Sequence, residues 1–268
     1  DYSKVVVKKP WGYEYLIFEN ESVAVWILYL KEKALTSMHC HPNKKTSLVV
    51  LQGKVVCTTL IGPFERSVGE GLLIDKGVFH QTRSVSEFGA FVMEIETPVN
   101  KRDLVRLKDK YGREGKGYEK SDKHSVNLQN YNYLELHATE TPYNLKKQFG
   151  QCSLTFKKIS RSQGIDELFT LNKEDVISVL RGQILNQNGQ TVIEVGDTIT
   201  VEELKKTVGP HVTNSTELLI VKKIDTLIKT TDYISRFLVE HDVKTAFLVP
   251  GNANVHLLDS IGRGEELS

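Results

Sequence analysis

Cysteine is scarce and irregularly placed, with only Cys40, Cys57 and Cys152 in 268 residues. An odd count at unrelated spacings excludes a disulfide framework, and the expectation is three reduced thiols in a cytoplasmic protein. Long apolar runs are also lacking. None approaches the roughly 20 residues that a membrane-spanning helix requires, so no membrane is expected as a partner. The opening Asp1-Tyr2-Ser3-Lys4 lacks the apolar core of a signal peptide, and it lacks an initiating Met, which leaves an upstream segment open. Excess charge of either sign is missing: 35 Lys+Arg stand against 34 Asp+Glu, a formal net charge of +1. That balance provides neither the basic surface that nucleic acid requires nor an acidic tail.

What is present is a series of short apolar runs rich in β-branched and aromatic residues. Val23 to Leu30, Leu48 to Leu51, Val55 to Leu60, Leu72 to Ile74 and Phe88 to Ile95 are separated by Gly, Pro and polar turns. This spacing predicts an all-β sandwich or barrel. From Val99 to about Lys147 the chain turns charged and Asn-rich, as expected of a wrapping or bridging segment. An internal repeat follows. Ser47-Leu48-Val49-Val50-Leu51-Gln52-Gly53 is echoed by Val176-Ile177-Ser178-Val179-Leu180-Arg181-Gly182. With Gly53 set on Gly182, Val68-Gly69-Glu70-Gly71 falls near Glu194-Val195-Gly196-Asp197, and His80 falls near His211. The repeat predicts two barrels, at 1–105 and 148–224, joined by a linker at 106–147.

The chemistry concentrates in Met38-His39-Cys40-His41 and in His80. On a strand, residues i and i+2 share a face, so His39 and His41 project together while Cys40 points away. Gly77-Val78-Phe79-His80 brings a third imidazole after a Gly turn, on another strand. Three imidazoles suit one divalent metal ion (Zn, Fe, Mn, Ni or Co) and leave coordination positions open. His-x-His by itself reads equally well as a solvated pair.

These residues resemble the cupin superfamily, whose double-stranded β-helix (jelly-roll) barrel carries a His-x-His motif with a later Glu and Gly, and a second motif ending in His. Here the first motif runs from His39-Cys40-His41 to Gly53, and Lys45 or Thr46 stands where the Glu would be. The second reads Asp75-Lys76-Gly77-Val78-Phe79-His80, with Asp75 replacing a Pro. The resemblance thus implies a three-His site rather than a three-His-one-Glu site. Lys9-Pro10-Trp11-Gly12-Tyr13-Glu14 and the stretch from Glu94-Ile95-Glu96-Thr97-Pro98 to Tyr111-Gly112-Arg113 are similar to the flanks of the sugar-phosphate cupins, the type-II phosphomannose isomerase group. That likeness covers about 1–113. It implies metal-assisted isomerisation or epimerisation of a sugar phosphate or nucleotide sugar in surface-polysaccharide metabolism, and a homodimer paired through its sheets. Candidate proton-transfer groups are Glu94, Lys45 and Arg83, although the typical charge of this kind has no role and they read first as an outward strand carboxylate and two solvated turn charges.

The same register puts Leu168 and Thr170 where His39 and His41 stand, so the second barrel is expected to be metal-free. Two rival readings follow from the resemblance: a non-catalytic sugar-binding or assembly module, and a three-His iron dioxygenase. The tail changes pattern to helix, strand and helix. Asp232-Tyr233-Ile234, Glu240-His241-Asp242-Val243, Val249-Pro250-Gly251 and Leu257-Leu258-Asp259 resemble the start of thiamine-diphosphate-dependent enzymes of the acetolactate synthase and decarboxylase type. That implies a truncated α/β domain at 225–268, with thiamine diphosphate bound only in a longer parent chain.

Overall fold

Strands with no polar alternation need cover on both faces, and the arrangement of the chain provides it. The computed structural model describes residue 2, residues 4–114, 146–160, 165–212 and 214–224, the short stretches 123–124, 128, 131 and 133–134, and residue 238. Apart from residue 238, the resemblance at 225–268 therefore lies outside the described residues, as does most of the expected linker. The protein is all-β, built of antiparallel sheets.

The first barrel comprises β1 (Val6–Lys9), β2 (Gly12–Glu19), β3 (Ala24–Leu30), β4 (Met38–Cys40), β5 (Lys45–Gln52) and β6 (Lys54–Thr59). It continues through β7 (Gly62–Ser67), β8 (Gly71–Ile74), β9 (His80–Ser84), β10 (Ala90–Thr97), β11 (Val105–Lys108) and β12 (Lys123–His124). Among the described residues these form a seven-stranded sheet in the order β12-β1-β2-β3-β10-β5-β8 and a five-stranded sheet in the order β11-β4-β9-β6-β7. β11 pairs with β4 at Val105↔Cys40 and Arg106↔His39.

The second barrel comprises β13 (Lys146–Phe149), β14 (Cys152–Ile159), β15 (Val176–Arg181), β16 (Gln183–Leu185), β17 (Thr191–Glu194), β18 (Thr198–Thr200) and β19 (Thr216–Lys223). Its large sheet, β13-β14-β19-β15-β18, repeats the order β2-β3-β10-β5-β8 of the first, and the β16-β17 hairpin stands for β6-β7. The repeat seen in sequence is thus a repeat of topology. Its anchors, Gly53 (φ +78°) and Gly182 (φ +81°), turn β5 into β6 and β15 into β16. Both adopt the left-handed conformation that glycine tolerates best. A Cβ would also meet the Gly89 carbonyl oxygen at 2.7 Å in one case and Thr216 Oγ1 at 2.7 Å in the other.

The side-chain period of two sorts residues between two cores. Leu48 and Val50, Trp26 and Leu28, and Val92 and Ala90 face the interior of the first barrel. Their alternates Val49, Leu51, Val25, Ile27, Met93 and Ile95 pack against Phe149, Cys152, Leu154, Val176, Leu219 and Val221 of the second barrel. Burying a side chain of this kind contributes roughly 1.5–3 kcal/mol, so the two barrels share one core and form a continuous unit. Across the same face Lys45 Nζ bonds Asp197 Oδ1 at 2.7 Å and Glu194 Oε1 at 2.9 Å, and Ser47 Oγ donates to the Gly196 carbonyl at 2.8 Å.

Candidate functional site

His39 lies on β4, directly opposite His80 at the start of β9. His41 follows β4 by one residue. The ligand nitrogens of these three lie within 4.8 Å of one another. Each ring is oriented by a backbone carbonyl at its Nδ1: His39 by Ser37 at 2.8 Å, His41 by Asp103 at 2.6 Å and His80 by Val78 at 3.0 Å. A carbonyl only accepts, so each Nδ1 carries the proton and each Nε2 keeps its lone pair. His41 Nε2 is buried and has no hydrogen-bond partner. A buried lone pair without a donor costs about 1–3 kcal/mol unless something binds it. Burial drives the proton affinity of all three rings down: His39 well below the imidazole range, His41 to about 3 and His80 downward as well. Neutral imidazoles with oriented, converging lone pairs and carbonyl-bonded outer nitrogens are what a divalent metal ion requires.

The segment after β10 completes the site. Asp103 Oδ2 accepts from the backbone N–H groups of Asn43 at 2.8 Å and Lys44 at 3.0 Å, and its carbonyl orients His41. Burial would raise the Asp103 carboxyl, but the hydrogen bonds from Asn43 and Lys44 hold it below its usual range. Asp109 in turn grips Arg113, with Nη2 at 2.8 Å from Oδ1 and Nε at 3.1 Å from Oδ2.

The imidazoles open into a cleft lined also by Trp11, Glu14, Lys44, Glu96 and Lys101. Glu94 lines it, as one of the sequence-predicted candidates. Burial pushes its carboxyl up to about 7, against the pull of Lys101. Lys45 and Arg83 are not brought there. Lys45 is on the face of β5 that meets the second barrel, bound to Asp197 and Glu194. Arg83 is exposed on β9, between the inward Thr82 and Ser84. Strand parity is the reason in both cases: an odd offset from an inward residue points outward.

The same rule locates residues that the composition did not single out. Lys44, Thr46 and Leu48 share the inward face, as do Glu94 and Glu96 on β10, where Glu96 pairs with Thr46 and Glu94 with Leu48. Lys44 and Glu96 form a buried ion pair, and Trp26 Nε1 donates to Glu96 Oε1 at 3.0 Å. Lys101 Nζ stands 3.6 Å from the centre of the Trp26 ring and 3.3 Å from Glu14 Oε1. Arg106, opposite His39 on β11, and Arg113 also line the cleft. Inward parity from Leu48 and Val92 would have found Lys44, Glu94 and Glu96. The closing-segment residues had only the flank resemblance as a signal.

In the second barrel the strand that would carry His-x-His is a short 3-10 turn, Asp166–Thr170. Leu168 is fully buried there among Ile184, Ile193, Val201, Leu204 and Val212, while Thr170 is exposed. His211 is exposed, with its Nδ1 3.2 Å from the Gly209 carbonyl.

No family model and no curated protein matches the chain. Among solved structures it is similar to a protein with a double-stranded β-helix domain from Klebsiella pneumoniae, at 12% identity over 36% of this chain and 79% of that one, TM-score 0.33. A sugar phosphate isomerase of the cupin superfamily from Silicibacter pomeroyi shares 16% identity over 32% of this chain and 59% of its own, TM-score 0.31. The capsular polysaccharide assembling protein CapF from Staphylococcus aureus shares 16% over 39% and 34%, TM-score 0.35. No helix among the described residues is long and apolar enough to cross a membrane.

Proposed function

We propose that the first barrel is a metal-dependent isomerase or epimerase acting on an anionic sugar, a sugar phosphate or a nucleotide sugar. The observation that carries this reading is the placement of a carboxyl poised near neutrality, Glu94, in the same cleft as three converging neutral imidazoles. His39, His41 and His80 would hold a divalent ion through Nε2, and such an ion supplies Lewis-acid polarisation of a sugar carbonyl or hydroxyl. Glu94 then takes the proton from the carbon next to that carbonyl and returns it to the neighbouring position. A carboxyl titrating near 7 serves both halves of that transfer. Trp11, Leu28 and Leu48 line the cleft beside these groups.

Charge supports the substrate class. The lining carries five basic side chains (Lys9, Lys44, Lys101, Arg106 and Arg113) against three acidic ones (Glu14, Glu94 and Glu96). With neutral imidazoles the cleft is net positive, and an arginine fork matches phosphate geometry. The filled interior around Leu168 favours a supporting role for the second barrel, that of a scaffold or binding module without chemistry of its own.

The test is metal-reconstituted protein incubated with a panel of sugar phosphates and nucleotide sugars in D2O. The expected result is deuterium incorporation or a new isomer, lost in His39→Ala. Binding without exchange would leave a sugar-binding module, and oxygen uptake by iron-loaded protein would replace the isomerase with a dioxygenase.

A further inference from the structure

An ammonium buried beside a divalent-cation site opposes the cation unless a negative charge stands next to it. Lys44 is such a group. It is 2% exposed, follows His41 by three residues and lines the same cleft as the three imidazoles. Its ammonium is paired to Glu96 Oε2, and Trp26 holds the other carboxylate oxygen at 3.0 Å, so the pair is fixed in place. Lys44 and Glu96 both line the cleft into which the three imidazoles open. A buried ammonium there disfavours a second cation at the imidazole nitrogens, and a buried carboxylate favours it, for the same Coulombic reason. Thr46, the cross-strand neighbour of Glu96, brings only a hydroxyl to this face. Among the described residues, the group of converging ligand atoms is made of the three His alone.

We propose that the Lys44–Glu96 pair sets the affinity of the three-imidazole site for divalent cations, Lys44 weakening it and Glu96 offsetting Lys44, with neither acting as a ligand. This rests on the metal reading of His39, His41 and His80. Binding can then be strong enough to hold an ion while the coordination positions not filled by histidine remain open to substrate.

The experiment is Co²⁺ binding to the 268-residue chain by competition with a chelator, with the visible absorption of bound Co²⁺ recorded alongside. Lys44→Met is expected to tighten binding about tenfold or more and Glu96→Gln to loosen it comparably. The Lys44→Met/Glu96→Gln double variant should return to within about threefold of the parent, since the two changes cancel. The absorption spectrum should be the same in all variants. Glu96→Gln leaves a buried ammonium unpaired and can fail to fold. In that event the comparison of the double variant with Lys44→Met gives the sign of Glu96, and loosening is required. Single variants that shift affinity in the same direction, or not at all, overturn the proposal. A new spectrum in Lys44→Met also overturns it, because Glu96 would then be a ligand. A parent protein that binds no Co²⁺ would instead remove the metal reading itself.

Discussion

The two barrels share a strand order and the glycine turns that fix it, yet their interiors do opposite things. In the first, β4, β9 and the residue after β4 bring imidazoles inward, and the residue before β5 and the inward end of β10 bring Lys44, Glu94 and Glu96. In the second, the corresponding space holds Leu168, Ile184, Ile193 and Val212. The fold is set by what both halves keep: apolar alternation on the shared strands and left-handed glycine at the tight turns. The candidate site is set by what only one half keeps, in agreement with the general independence of fold and function. The buried charges of the first barrel cost stability that the apolar interior of the second does not give up.

Paired substitutions at the equivalent places expose this contrast most strongly. His80→Ala should abolish stoichiometric metal binding while leaving the fold in place, since it removes one of three ligands and relieves a buried polar group. Leu168→Ala should do the reverse. It opens a cavity in a packed interior and is expected to lose ~2–5 kcal/mol of stability, with the metal content of the folded fraction unchanged. Elemental analysis of metal-reconstituted protein, combined with denaturant unfolding, reads both. Loss of metal in Leu168→Ala at full folding would mean that the barrels are not separable in function.

The next effect concerns the cost of poising Glu94. Its folded carboxyl titrates near 7, raised by burial from the ordinary value of 4.5. The folded state therefore binds a proton that the unfolded state releases between those values. Its contribution to stability is fully present below about 4.5 and is lost as pH rises through about 7. Glu94→Gln stays neutral throughout. In metal-free protein the variant should match the parent at pH 4 and exceed it at pH 8, by at most about 3 kcal/mol. Equal stability at pH 8 would show that the carboxylate ionises without penalty and is not held ready for proton transfer.

Much of this contrast was legible in sequence. The all-β class followed from short β-branched runs, and the three-imidazole group followed from His-x-His parity and a Gly-led third His. The repeat around Gly53 and Gly182 also put Leu168 and Thr170 where His39 and His41 stand. The charged half of the site was not legible in the same way. Glu94 stood out only through the family resemblance, and Lys44 and Glu96 were passed over because charged residues in a strand normally face solvent. They face inward because β5 and β10 are covered on both sides, by the barrel interior and by the second barrel, so neither face of those strands is solvent. That double cover depends on a contact between segments more than 100 residues apart, such as Cys152 Sγ against the Val50 carbonyl, which no local pattern reports.

Adjacent residues at the entry to β5 show how sharply the two regions divide, and they carry the smallest expected effect. Lys44 points into the cleft and Lys45 into the seam between barrels, where it bridges to Asp197 and Glu194. Glu194 is largely exposed, and partly solvated ion pairs of this kind contribute roughly 0–1 kcal/mol. Lys45→Ala should therefore lower stability by about 1 kcal/mol or less, with metal affinity and any turnover unaltered. The apolar core under it, with Val49 and Leu51 against Leu154 and Val221, keeps the barrels together without it. A change in Co²⁺ affinity in Lys45→Ala would show that the seam is mechanically coupled to the imidazoles through β5. The sorting of that strand into a chemical face and a structural face would then no longer describe how it works.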